Sequence, residues 1–173
     1  MKNISELDPI DKGIIEHLQK DPQITHTEIA KRVNRSQPTI GMRIEKLKKA
    51  GILQFQAGIN LKKAQLVSAR AEIQTNNPGF IKKIVKKCPF MINAFRLTGV
   101  INMSIFLIGE CVEDLDRVVN CHFRNNPNVK KVEFNVISDI LSNFVLPVNL
   151  DFSNCENLLN NSCCCGFRPN SLL

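Results

Sequence analysis

Apolar positions in the first fifty residues recur at helical spacing in three short runs. Ile10, Ile14 and Leu18 repeat at i, i+4 and i+8 behind Asp8, which can cap the run, and Pro9, whose fixed φ suits a first helical turn; Asp21-Pro22 ends it. Thr25 and Glu28 have the spacing of a capping box, and Ile29, Ala30 and Val33 supply the apolar face of a second helix of about two turns. Ser36 is placed to cap a third helix, with Pro38 in its first turn, Ile40, Ile44 and Leu47 as its buried stripe and Gly51 beyond its end. Residues 51–59 then predict a small β-wing, which makes the first part a winged helix-turn-helix.

From residue 67 the period changes to two. Val67, Ala69, Ala71 and Ile73 alternate with Ser68, Arg70, Glu72 and Gln74, as in a strand buried on one face. Asn76-Asn77-Pro78-Gly79 breaks it, and a helix follows with Phe80, Ile81, Ile84 and Val85 on one face and Lys82, Lys83, Lys86 and Lys87 on the other. Strands over 91–97 and 103–108 flank a turn at Thr98-Gly99. A second helical stripe carries Val112, Leu115, Val118, Val119 and His122, and a fourth strand covers 129–137. The order βαββαβ predicts a ferredoxin-like α+β domain with both helices on one face of an antiparallel sheet. Phe106, Ile108 and Ile137 point to a second subunit covering the other face. The expected domains are 1–60, 64–142 and a 143–173 extension, in which Leu146, Val148, Leu150 and Phe152 alternate as an added edge strand before a Cys- and Asn-rich tail.

Composition narrows what such a chain does. At 173 residues and 43% hydrophobic, with no 18-residue apolar run, it is too short for a barrel enzyme and no membrane span is expected. The start lacks an apolar signal-like stretch, so the expected location is cytoplasmic. The formal charge of +7 divides into +5 over residues 1–63, +3 over 64–142 and −1 over 143–173. Residues 31–49 alone hold seven basic side chains against one acid, Glu45, which points to a polyanion and hence to double-stranded DNA. With Ile40, Ile44 and Leu47 inward, Gln37, Thr39, Met42, Arg43 and Lys46 face outward, and Gly41 gives the helix room to approach a phosphate wall. Gln and Arg suit base edges, whereas Ser36 and Thr39 near the helix start suit phosphate oxygens.

Catalytic chemistry has little support. No Ser/His/Asp set, paired-carboxylate cleft, phosphate-cradling glycine loop or His-Glu zinc motif occurs, so no enzyme and no cofactor is expected. His122, on an apolar stripe, reads as a packed core histidine, and Cys88, Cys111 and Cys121 as small apolar fillers with reduced thiols. Cys155, Cys163, Cys164 and Cys165 put four thiols within eleven residues and form a candidate metal or redox set, although paired knuckles are absent.

Leu7-Asp8-Pro9-Ile10-Asp11, Leu18-Gln19-Lys20-Asp21, Glu28-Ile29-Ala30, Arg43-Ile44 with Leu47, Ala50-Gly51-Ile52-Leu53 and Leu97-Thr98-Gly99 stand in an order that resembles the Lrp/AsnC (feast/famine) transcription regulators over about residues 7–142. The resemblance implies a homodimer that often assembles further into tetramers or octamers, DNA bound by the front domain, and a small amino-acid-like effector bound between subunits near the Thr-Gly hairpin. By position it makes Gln37, Thr39, Arg43 and Lys46 the DNA readers, Arg35 and Ser36 phosphate contacts, and Thr98, Gly99 and Asn102 the effector residues. The family's usual aspartate is Asn102 here, so the charge-assisted contact to a ligand ammonium is missing. Two alternatives remain open from sequence: a metal- or redox-sensing regulator using the tail cysteines, and a haem-pathway decarboxylase-like enzyme on the same two-domain plan.

Overall fold

The computed structural model describes residues 7–152. They form two compact units that divide between Gln56 and Ala57.

In the first unit, α1 (Pro9–Lys20), α2 (His26–Arg32) and α3 (Gln37–Lys49) enclose a core of Ile14, Leu18, Ile29, Ile40, Ile44 and Leu47. Asp8 caps α1 by accepting the Asp11 N–H at 2.8 Å. Thr25 and Glu28 make the reciprocal capping box at the start of α2, with bonds of 3.2 and 3.1 Å. The turn into α3 needs a left-handed residue and uses Asn34 at φ 53°, where a short polar side chain is tolerated. Gly51, at φ 69°, closes α3 by donating to the Lys48 carbonyl.

Two local expectations are corrected. Ser36 stands at the cap position of α3, but its hydroxyl caps no backbone amide; it bonds the Thr39 hydroxyl at 2.7 Å. Residues 51–58 contain no strand. Ile52 and Leu53 are drawn against the helical core, and the described residues of that unit hold no strand to pair with a wing. The first strand, β1 (Ile59–Asn60), belongs to the second unit and pairs antiparallel with β6 (Val145–Leu146). The expected edge strand over 146–152 is thus two residues long and joins this separate ribbon, not the main sheet. At Gly58 the ribbon closes tightly: a Cβ there would lie 2.7 Å from the Leu146 carbonyl carbon.

The main sheet comprises β2 (Val67–Thr75), β3 (Met91–Arg96), β4 (Met103–Gly109) and β5 (Val129–Val136) in the order β3-β4-β2-β5, all antiparallel. The helices α4 (Pro78–Val85) and α5 (Val112–Val119), the latter extended by a π-helical segment Asn120–Arg124, supply the other layer. Ala69, Ala71 and Ile73 from β2 and Met103, Ile105 and Leu107 from β4 pack there against Ile81, Leu115, Val119 and Phe123. That is the βαββαβ plan read from the alternation.

The opposite face is covered differently from expectation. Ile108 is fully buried within the single chain, and the Phe106 ring meets Phe144 edge-on at 5.7 Å. A second subunit is therefore not required over those two residues; Ile137 is half-buried. Phe95 remains 52% exposed, beside Ser104, which accepts bonds from the Arg70 guanidinium. Cys88 is buried and Cys111 half-buried, neither in a disulfide, whereas Cys121 is disulfide-bonded, unlike the reduced filler expected.

Candidate nucleic-acid interface

The chemistry of α3 follows from its apolar stripe. Ile40, Ile44 and Leu47 are at most 3% exposed, which fixes the helix's roll and turns Gln37, Met42 and Lys46 to solvent, with Thr39 half-buried. Met42, at 69% exposed, is a large apolar group presented on an otherwise basic face. Such a group suits the thymine methyl in a major groove. Lys31, Arg32, Lys46 and Lys49 have no ion-pair partner among the described residues, whereas Lys48 is paired with Glu45 at 2.9 Å and lies 5.8 Å from the Phe55 ring. At the amino end, Arg35 is exposed and donates to the Asn34 carbonyl at 2.7 Å. Because the Ser36 side chain leaves the first amides of α3 uncapped, their N–H groups and the helix dipole stay open to an anion.

Arg43 is placed differently from its neighbours. Its Nη1 donates to Asp8 Oδ2 at 2.6 Å and to Asp11 Oδ1 at 2.7 Å, so it ties α3 to the first turn of α1. The Asp11 N–H and the Arg43 guanidinium together hold the Asp8 carboxyl below its usual range, and the two carboxylates raise Arg43 further. Sequence reading placed Arg43 on the DNA face and missed the clamp. Its signal was present: Asp8 and Asp11 lie one turn apart, on the same side of the helix start. Gly41 also faces inward, since a Cβ there would sit 3.6 Å from the His26 ring of α2. A Cβ at that distance would make an ordinary contact, so the helix pair has room for a small side chain at position 41.

In the second unit, the hairpin between β3 and β4 ends in Thr98 and Gly99, both exposed. Asn102 is not presented to a cavity. Its Oδ1 accepts the Thr75 N–H at 3.0 Å and its Nδ2 donates to the Thr75 carbonyl at 2.8 Å, so the side-chain amide imitates one more backbone pair in the β2–β4 ladder. Thr75 in turn donates its hydroxyl to the Asn128 carbonyl. An aspartate could accept from Thr75 but could not donate back, so asparagine fits this double bond. Cys155, Cys163, Cys164 and Cys165 lie outside the described residues, among which no group of three metal-ligating side chains occurs. No helix among the described residues is long and apolar enough to cross a membrane.

Comparison with known proteins now decides the family. The winged helix-turn-helix DNA-binding family matches residues 7–54. An uncharacterised HTH-type transcriptional regulator of Pyrococcus abyssi is 31% identical over 117 residues, spanning 65% of this chain and 80% of that one. The chain belongs to the Lrp/AsnC family of transcriptional regulators. Within this Lrp/AsnC group, the HTH-type transcriptional regulator LrpC of Bacillus subtilis is 26% identical over 139 residues, 78% of this chain and 94% of its own. A transcriptional regulator of Neisseria meningitidis, solved as a complex with L-methionine, has the same fold at a TM-score of 0.68 and 20% identity, covering 84% of this chain and 97% of that one. As an Lrp/AsnC protein the chain is a DNA-binding transcriptional regulator, and the basic α3 with its open amino end is the helix such a role requires.

Proposed function

We propose that the first unit reads double-stranded DNA through α3 and that the second unit pairs two chains, so that two recognition helices meet a two-fold operator. The observation that carries this reading is the exposed face of Gln37, Met42 and Lys46 next to an uncapped helix start. In this reading Gln37, Thr39, Met42 and Lys46 face base edges, while Arg35, Ser36 and the first amides of α3 hold phosphate. Arg43 is a positioning residue: held by Asp8 and Asp11, it sets how α3 projects from α1. The exposed Phe95 and the Arg70–Ser104 pair supply surface for the partner chain on the sheet's second face. A small molecule carrying a carboxylate modulates the protein through its second unit, a reading supported by the methionine complex of the Neisseria relative.

The test is a gel-shift titration at several salt concentrations with DNA from upstream of the protein's own gene. Binding is expected to weaken steeply as salt rises, and Lys46→Ala to lower affinity for the preferred site more than for a scrambled one, with thermal stability unchanged. Affinity indifferent to salt and to this change would sink the DNA reading.

A further inference from the structure

Between α4 and the edge strand β3 lies a cleft of about 440 Å³, a volume within the range of small-ligand sites. Pro78, Val85, Ala94 and Met103 give it apolar walls, and Lys82, Lys86 and Arg96 line it with cationic heads. Among the described residues no acidic side chain lines it. The cations converge from two elements. Lys82 on α4 and Lys86 at its C-cap are one turn apart, while Arg96 ends β3 opposite Met103, on the side of the sheet that carries the helices. None of the three has an ion-pair partner among the described residues. Like charges at this helical spacing oppose one another, and α4 contains no acid to offset them. A solvated lysine face explains Lys83, which does not line the cleft; it does not explain an arginine from another element closing on the same apolar hollow.

We propose that this cleft binds a small organic acid, with one or two carboxylates on a short apolar body and no ammonium group. Arg96 offers the planar fork that takes a carboxylate on two N–H groups, and Lys82 and Lys86 supply point charge. An α-amino acid fits poorly, because its ammonium would enter a site with three cations and no carboxylate. The Asn102 amide cannot compensate, being bonded at both ends to Thr75. This deepens the effector reading given above and rests on it, while moving the ligand from the hairpin tip to the cleft and changing its class.

Calorimetric titration of the full chain with 2-oxopentanoate, its amino counterpart 2-aminopentanoate, and inorganic phosphate separates the possibilities. The oxo acid is expected to bind, the amino acid to bind about tenfold more weakly or worse, and phosphate not to compete. Arg96→Gln and Lys82→Gln, both at exposed positions, should each weaken 2-oxopentanoate about tenfold while leaving the unliganded melting temperature and DNA affinity as they were. Equal or tighter binding of 2-aminopentanoate, indifference to Arg96→Gln, or phosphate binding in place of the oxo acid overturns the proposal. If 2-aminopentanoate binds and Thr98→Ala alone abolishes it, the hairpin effector reading stands and this one falls. If none of the three binds, both fall.

Discussion

The recognition helix and the β3–β4 hairpin are each a short segment flanked by better-packed structure, yet they carry information in opposite ways. Around α3 the roll of the helix is set by its own stripe of Ile40, Ile44 and Leu47, so which residues face outward follows from positions within thirteen residues of chain. At the hairpin the decisive bonds join Asn102 to Thr75, 27 positions apart, and Thr75 to Asn128, 53 apart. A local pattern can be read from one segment. A residue whose partners lie on other strands has its role fixed by register, which appears only once the sheet is assembled.

The sharpest way to break this contrast is Asn102→Asp. The change removes one donor at a half-buried position and sets a carboxylate oxygen against the Thr75 carbonyl, with an expected cost of about 1–3 kcal/mol in thermal or urea unfolding of the full chain. Thr98→Ala, four residues away at an exposed tip, should stay within about 0.5 kcal/mol. If the two variants unfold alike, Asn102 is not the ladder residue the geometry makes it. A gain of amino-acid binding in Asn102→Asp would return the position to ligand recognition.

Arg43 tests the other side of the comparison, because there the local pattern misled in part. Periodicity put it on the outward face, correctly to the extent that its side chain is 28% exposed, but could not show that two carboxylates from α1 occupy it. Arg43→Ala is expected to lower the melting temperature by a few degrees, since partly exposed pairs are worth little each but two converge here. DNA affinity should fall by a similar factor on preferred and scrambled sites. A reader of bases would instead lose its preference for sequence while the melting temperature held.

Legibility from sequence follows the same division. The three helices, the capping box at Thr25 and Glu28, the glycine stop at Gly51 and the βαββαβ order were all readable because each depends on spacing within one element. The missing strand in residues 51–58 and the two-residue β1–β6 ribbon were not, because a strand exists only if a partner reaches it; here the partner of Ile59 is Leu146. Ser36 failed as a cap for a more local reason: Thr39, three residues on, offers a competing hydroxyl. The cation-lined cleft lies between these cases, since Lys82 and Lys86 share a helical face but Arg96 joins them only through the β3–β4 register.

The smallest expected effect concerns pH and isolates the clamp from the helix it holds. Asp8 has its folded carboxyl lowered by the Asp11 N–H and by Arg43, so its contribution to stability is present above the unfolded carboxylate value, about 3.9, and is lost as pH falls through the lower folded value. Glu28, lowered by the Thr25 hydroxyl and amide, and Glu45, lowered by Lys48, act in the same direction and form the background. Asp8→Asn keeps an acceptor for the Asp11 N–H but removes the titrating group. Its unfolding midpoint should therefore lie below wild type at neutral pH and converge with it towards pH 2–3. Parallel curves across that window would mean that Asp8 contributes only its cap and that the ion pair with Arg43 adds nothing to the fold.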